Sequence, residues 1–174
     1  CTGAAPPRPF PLDLQRATLL AELGRVDEAR AEARAASTAQ PRDPAFVVVS
    51  AAILELVGDG PGASALAAAC AAETADGSAV GSAGHGRDAA TRSSIAYLAG
   101  RATEIDAIAA ARAPGARCTL SFAIACRAFG RGDRQAGRAA LDACLMTGVH
   151  VYLQHRLARV FQARIAADPA WPRW

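Results

Sequence analysis

Lysine is absent from this chain, methionine occurs once, and aromatic residues make up only 5 % of its 174 positions. All 19 basic residues are therefore Arg, which reflects a GC-rich coding sequence more simply than selection for guanidinium chemistry. With so few aromatics, the 52 % hydrophobic content is mostly Ala, joined by Leu, Val and Ile. Ala is the best helix former, and small side chains let helices approach closely, so the expected fold class is all-α. No apolar run reaches the roughly 18–20 residues of a membrane-spanning helix. The longest, Ala45 to Val57, is interrupted by Ser50 and Glu55. Also missing are a G-x-S-x-G elbow, a phosphate loop ending in Gly-Lys-Ser/Thr, H-E-x-x-H, C-x-x-C and a haem-attachment motif. Catalysis through any of those constellations is excluded. No cofactor, metal or small-molecule substrate is expected.

The net charge of +3 is too small to argue for nucleic acid. Its distribution is uneven. Phe10 to Asp76 holds five Arg against ten acids, a net of −5, whereas Arg112 to Trp174 holds ten Arg against three acids, a net of +7. The basic end suits an anionic lipid surface, a polyanion or an acidic partner, or is a solvated Arg-rich helix face. His150 and His155 are five apart, about 140° around a helix, which is the wrong spacing for a metal pair; His85 stands alone. Gly58-Asp59-Gly60-Pro61-Gly62 reads as a turn between helices, with Asp59 or Gly60 as cap and Pro61 in the first turn of the second helix. Arg131-Gly132-Asp133 likewise supplies a turn glycine and a capping Asp.

Repetition organises the chain. Leu19-Leu20-Ala21-Glu22-Leu23-Gly24-Arg25-Val26-Asp27-Glu28-Ala29-Arg30, followed by Ala33, Ala36 and Pro41, resembles the tetratricopeptide repeat. In that family a helix ends in Gly, a Glu-Ala pair follows a short turn, small residues line the second helix and Pro closes the unit. The family's 34-residue period sets Gly58 against Gly24, Ala63 against Ala29, Ala67 against Ala33 and Cys70 against Ala36. Ala75 replaces the closing Pro in this second copy. A Gly/Ser-rich stretch at 75–88 reads as a flexible loop, either a partner-binding loop or a degenerate insertion. Beyond it come a shortened hairpin (Thr91 to Ala99, Thr103 to Arg112, turning at Gly100), a fuller one (Arg117 to Phe129, Asp133 to Leu145) and a last helix from Val149 to Ala167. Trp171 and Trp174 are expected to fold back on that helix.

The resemblance implies a TPR-like α-solenoid of three to four antiparallel helical hairpins over residues 11–174, with a C-terminal capping helix. It also implies a concave surface, lined by the first helix of each pair, that grips another polypeptide. By register those positions are Leu14, Thr18, Ala21 and Glu22, then Val48, Ala52, Glu55 and Leu56, then Leu120, Ile124 and Arg127. Such a lining suits an apolar or basic segment of a partner protein.

Cys1, with the Pro-rich residues 2–10 after it, resembles the lipid-bearing first residue of a mature bacterial lipoprotein after removal of its signal peptide. The alternative is an ordinary thiol of a fragment. In lipoproteins an Asp after the cysteine signals inner-membrane retention, so Thr2 is compatible with a lipid anchor on the periplasmic face of the outer membrane. Together the two resemblances imply a scaffold that assembles an envelope machine, as pilotins and accessory subunits of barrel-assembly or pilus systems do. A permanent structural subunit of a membrane complex is the alternative. Among the other cysteines, Cys118 and Cys126 lie too far apart on one helix to bridge. Cys118 and Cys144 fall at the outer ends of two antiparallel helices, where they either form a disulfide or pack as free thiols in the core.

Overall fold

A computed structural model describes residues 12–39, 43–75 and 85–172. Among these residues it contains nine α-helices and no strand: α1 (Leu12–Glu22), α2 (Val26–Ala39), α3 (Pro44–Leu56), α4 (Gly60–Ala75), α5 (His85–Leu98), α6 (Glu104–Ala110), α7 (Pro114–Gly130), α8 (Arg134–Met146) and α9 (Leu153–Ala167). The expected all-α class is what the structure shows. The tether at 1–10, Cys1, Pro41 and Trp174 lie outside the described residues.

Local chemistry sets the helix ends. Asp43, Thr103 and Asp133 cap α3, α6 and α8 by accepting the N–H groups of Ala45, Asp106 and Ala136. Each satisfies a donor with no intrahelical acceptor, which is worth about 1 kcal/mol per cap. Gly24, Gly58, Gly100 and Gly132 come just after α1, α3, α5 and α7 with φ between 71° and 80°, the left-handed conformation that ends a helix most cheaply at Gly. Thus every odd-numbered helix from α1 to α7 stops at a glycine before an even-numbered one begins.

Three boundaries differ from those expected. Residues 85–88, read as part of the loop, open α5; residues 76–84 lie outside the described set. α7 starts at Pro114 rather than Arg117, because proline at N1 needs no N–H donor and arrives with helical φ. α9 starts at Leu153 rather than Val149, since Gly148 turns the chain at φ +66° after α8.

The core is organised around α3. Every residue from Val47 to Leu56 is buried, Ser50 and Glu55 included. A helix buried all round must be covered on every side, and α3 packs against α1, α2, α4, α5 and α7. Contact between α3 and α7 departs from a strict one-dimensional stack, where each hairpin touches only its neighbours. Gly130, the last residue of α7, makes that approach possible. A Cβ there would lie 1.8 Å from the Glu55 carbonyl oxygen. Beyond α7, α8 and α9 pack in turn, and Trp171 folds back as expected, with its ring 5.0 Å from Phe161 and 5.8 Å from Phe129.

Gly130→Ala should therefore force α3 and α7 apart. We expect a loss of about 2–4 kcal/mol in urea denaturation, at the high end of overpacking costs because the obstacle is backbone. Gly132→Ala, whose Cβ meets nothing within 4 Å, should lose only about 1 kcal/mol from its left-handed conformation. Equal losses at the two positions would refute the close-approach account.

Candidate functional site

The most polar feature of the interior joins three helices. Glu55 stands in the last turn of α3, where an isolated carboxylate would be costly to bury. Arg127 of α7 answers it: Nε and Nη2 donate to Glu55 Oε1 at 2.8 and 2.7 Å. The same guanidinium donates from Nη1 to the Tyr97 carbonyl and from Nη2 to the Leu98 carbonyl, both at 3.0 Å. Those carbonyls belong to the end of α5, where acceptors lack intrahelical partners and the helix dipole is negative. The guanidinium carbon also lies 4.2 Å from the centroid of the Tyr97 ring, a cation–π contact. Only 11 % of the Arg127 side chain and 6 % of the Glu55 side chain remain exposed. Burial alone would lower the Arg127 pKa, but the Glu55 and Tyr97 contacts outweigh it and the net shift is upward.

This arrangement corrects the expected concave lining. Leu14, Thr18, Ala21, Val48, Ala52, Glu55, Leu56, Leu120 and Ile124 are all buried among the protein's own helices. The inner faces of the odd-numbered helices pack on one another instead of facing outward. The Thr18 hydroxyl is spent on the Leu14 carbonyl one turn back. Glu22 is half-buried, and Arg164 of α9 is near enough to lower its pKa in part. Arg127 and Glu55, read separately as partner contacts, are brought together as each other's partner.

Two open clefts flank the pair. One, of about 530 Å³, lies among the hairpin turns and is bordered by Gly58, Pro61, Gly100 and Arg131 as well as Glu55 and Arg127. The other, of about 390 Å³, runs over α7 between α6 and α8. Its floor is Tyr97, Ile124, Arg127 and Ala128; its walls are Ile108 on α6 and Ala136, Ala139, Ala140 and Ala143 on α8. It is open because α6 has seven residues and stops short, as Pro114 starts the next helix and holds Ala113 in an extended conformation. Ile124 and Arg127 are the expected partner residues that reach this cleft. Sequence reasoning missed the alanine wall, although 136, 139, 140 and 143 share the spacing of one helical face.

The charge asymmetry takes a specific form. Arg16, Arg25, Arg30 and Arg34, in the acidic half, all pair with carboxylates. In the basic half Arg117 donates to the Ala111 carbonyl, Arg134 to those of Ala170 and Pro172, and Arg138 to that of Pro169. The last two hold the C-terminal segment onto α8. Among the described residues no group of three or more His, Cys, Asp or Glu is placed to hold a metal ion, and no helix is long and apolar enough to cross a membrane. No protein-family model, curated protein or solved structure matches this chain.

Removing one member of the buried pair should strand the other. Arg127→Met is expected to cost about 3–5 kcal/mol in urea denaturation, and the double variant Glu55→Leu with Arg127→Met should recover most of that loss. A double variant as unstable as the single one would refute the account. For Glu22, burial holds the carboxyl above its ordinary value of 4.5, with Arg164 opposing. The folded form then holds the proton more tightly, so the ionised side chain subtracts stability at neutral pH, and the penalty fades as the pH falls through the folded value. Glu22→Gln should raise Tm at pH 7, with the gain gone below pH 4.5; a gain independent of pH would contradict this.

Proposed function

We propose that this protein is a TPR-like interaction scaffold that binds another polypeptide in the cleft over α7, between α6 and α8. The observation that carries the proposal is the alanine wall of α8 left uncovered where α6 ends. Small side chains at 136, 139 and 143 allow a helix backbone to approach closely, and Ile108, half-exposed at the rim, offers an apolar contact. Glu104, Arg131 and Asp133 border the same cleft and would set the orientation of what enters. The occupant that fits is an amphipathic helix of a partner, laid where a longer α6 would otherwise pack. Helix pairs joined at glycine turns, with Gly24 and Gly58 one 34-residue period apart, support the TPR-like reading. If Cys1 carries lipid, the partner is a subunit of a cell-envelope machine held during assembly.

A permanent structural subunit is the second reading, favoured by one observation. Leu19, Leu23, Ile105, Ile108, Met146, Val151 and Val160 are large apolar residues exposed by 42–89 %. Neighbouring subunits would cover them. Size-exclusion chromatography with light scattering separates the readings: an assembly scaffold elutes as a monomer, an obligate subunit aggregates alone.

The cleft itself is tested by placing a photo-crosslinking amino acid at Ile108 or Ala139 in the native host. Both positions should capture the same polypeptide, and Ala139→Arg should reduce capture from Ile108 at least tenfold while changing stability by no more than about 0.5 kcal/mol, as for an exposed site. Capture no stronger than from exposed Glu73 on α4 would refute the assignment.

A further inference from the structure

Neither the ion pair nor the cleft uses two sulfurs buried at the far end of the fourth hairpin. Cys118 Sγ in the first turns of α7 and Cys144 Sγ in the last turn of α8 lie 3.5 Å apart, both as thiols and both shielded from solvent. Their surroundings differ. His155, in the first turn of α9, has its backbone N–H near enough to Cys118 to favour a negative charge there. N–H groups at a helix start have no intrahelical acceptor and stand at its positive end, so negative charge is favoured on the sulfur they face.

We propose that Cys118 and Cys144 are an exchange-active dithiol that closes to a disulfide, with Cys118 as the attacking sulfur and a low-molecular-weight or protein disulfide as oxidant. The Cys118 thiol is held below its ordinary value, most by the neighbouring Cys144 sulfur, against burial, with smaller contributions from Thr147 and His155. Cys144 is pushed upward, first by Cys118 and then by burial. The Cys118 thiolate attacks one sulfur of the oxidant RSSR, forming a mixed disulfide and releasing RS⁻. With Cys118 joined through a disulfide bond to SR, its sulfur no longer carries negative charge beside Cys144. Cys144 then loses its proton to the released thiolate and attacks Cys118 Sγ, expelling the second RS⁻, which takes up the proton Cys118 gave up. Two electrons pass from the cysteine pair to the oxidant, which leaves as two RSH.

Just past α8, the Thr147 hydroxyl donates to the Cys144 carbonyl. Because both sulfurs are buried, exchange requires local opening at this end of the hairpin. The bond would join residues 26 apart and pin together the floor and wall of the cleft over α7. The other two described cysteines serve as internal controls: Cys126 is fully buried, its thiol well above the ordinary value chiefly through burial, and Cys70 is buried in α4.

The test uses the whole chain, reduced, then incubated with glutathione disulfide, alkylated in denaturant and mapped by mass spectrometry. We expect one crosslinked peptide pair, Cys118 to Cys144, with Cys70 and Cys126 alkylated. Dithiothreitol should then lower Tm by roughly 6–12 °C, the shift for losing a crosslink of this span in a chain of this size. Cys144→Ser should accumulate a glutathione adduct on Cys118, and Cys118→Ser at least tenfold less on Cys144. Cys118 and Cys144 both still alkylated after oxidation, a link involving Cys70 or Cys126, or equal adducts in the two single variants would overturn the proposal.

Discussion

Glu55 occupies the last turn of α3, buried along nearly its whole length, and a carboxylate there survives burial only because Arg127 comes to it from 72 residues away. The guanidinium does more than neutralise. Its remaining donors take the open carbonyls at the end of α5, so one side chain of α7 holds the ends of α3 and α5 in a fixed relation. A well-packed apolar triad in the same place could be as stable. Apolar side chains, however, would not dictate which turn of α7 meets which turn of α3. Gly130 completes the constraint, since the backbone contact beside the pair leaves no room for a Cβ.

Much of the remaining architecture results from drawing α7 onto α3. A helix as uniformly apolar as α3 cannot stay on the inner surface of an open stack; the hydrophobic effect closes neighbours around it at about 25 cal/mol per Å² of apolar surface covered. Closure removes the concave face at Val48, Ala52 and Leu56 and converts it to core. Space for a partner is then left at the periphery. The short α6 fails to fill the position beside α7, and the resulting cleft has walls from two hairpins and a floor fixed by the ion pair.

The far end of α7 is governed by different chemistry. There the start of α9 lies by the hairpin's open end, and the backbone N–H of His155 favours negative charge on Cys118. No side chain caps α9 at Tyr152. The Arg side chains of the basic half serve a related purpose, tying the final segment to α8 through its carbonyls.

What could be read from residues alone was local. Alanine content, glycine at the helix ends, Asp and Thr caps and the 34-residue step from Gly24 to Gly58 are short-range signals, and they sufficed for the all-α class and for the positions of most hairpins. The approach of Cys118 to Cys144 was legible for the same reason, because a tight turn brings the ends of one hairpin together whatever surrounds it. By contrast, the burial of Leu14, Val48 and Leu120, the pairing of Glu55 with Arg127 and the open space beside α6 depend on which distant helices meet. Period and register say which face of a helix is apolar; only the packed structure decides whether that face meets a partner or the protein itself, because the hydrophobic drive to cover it is non-directional and favours either.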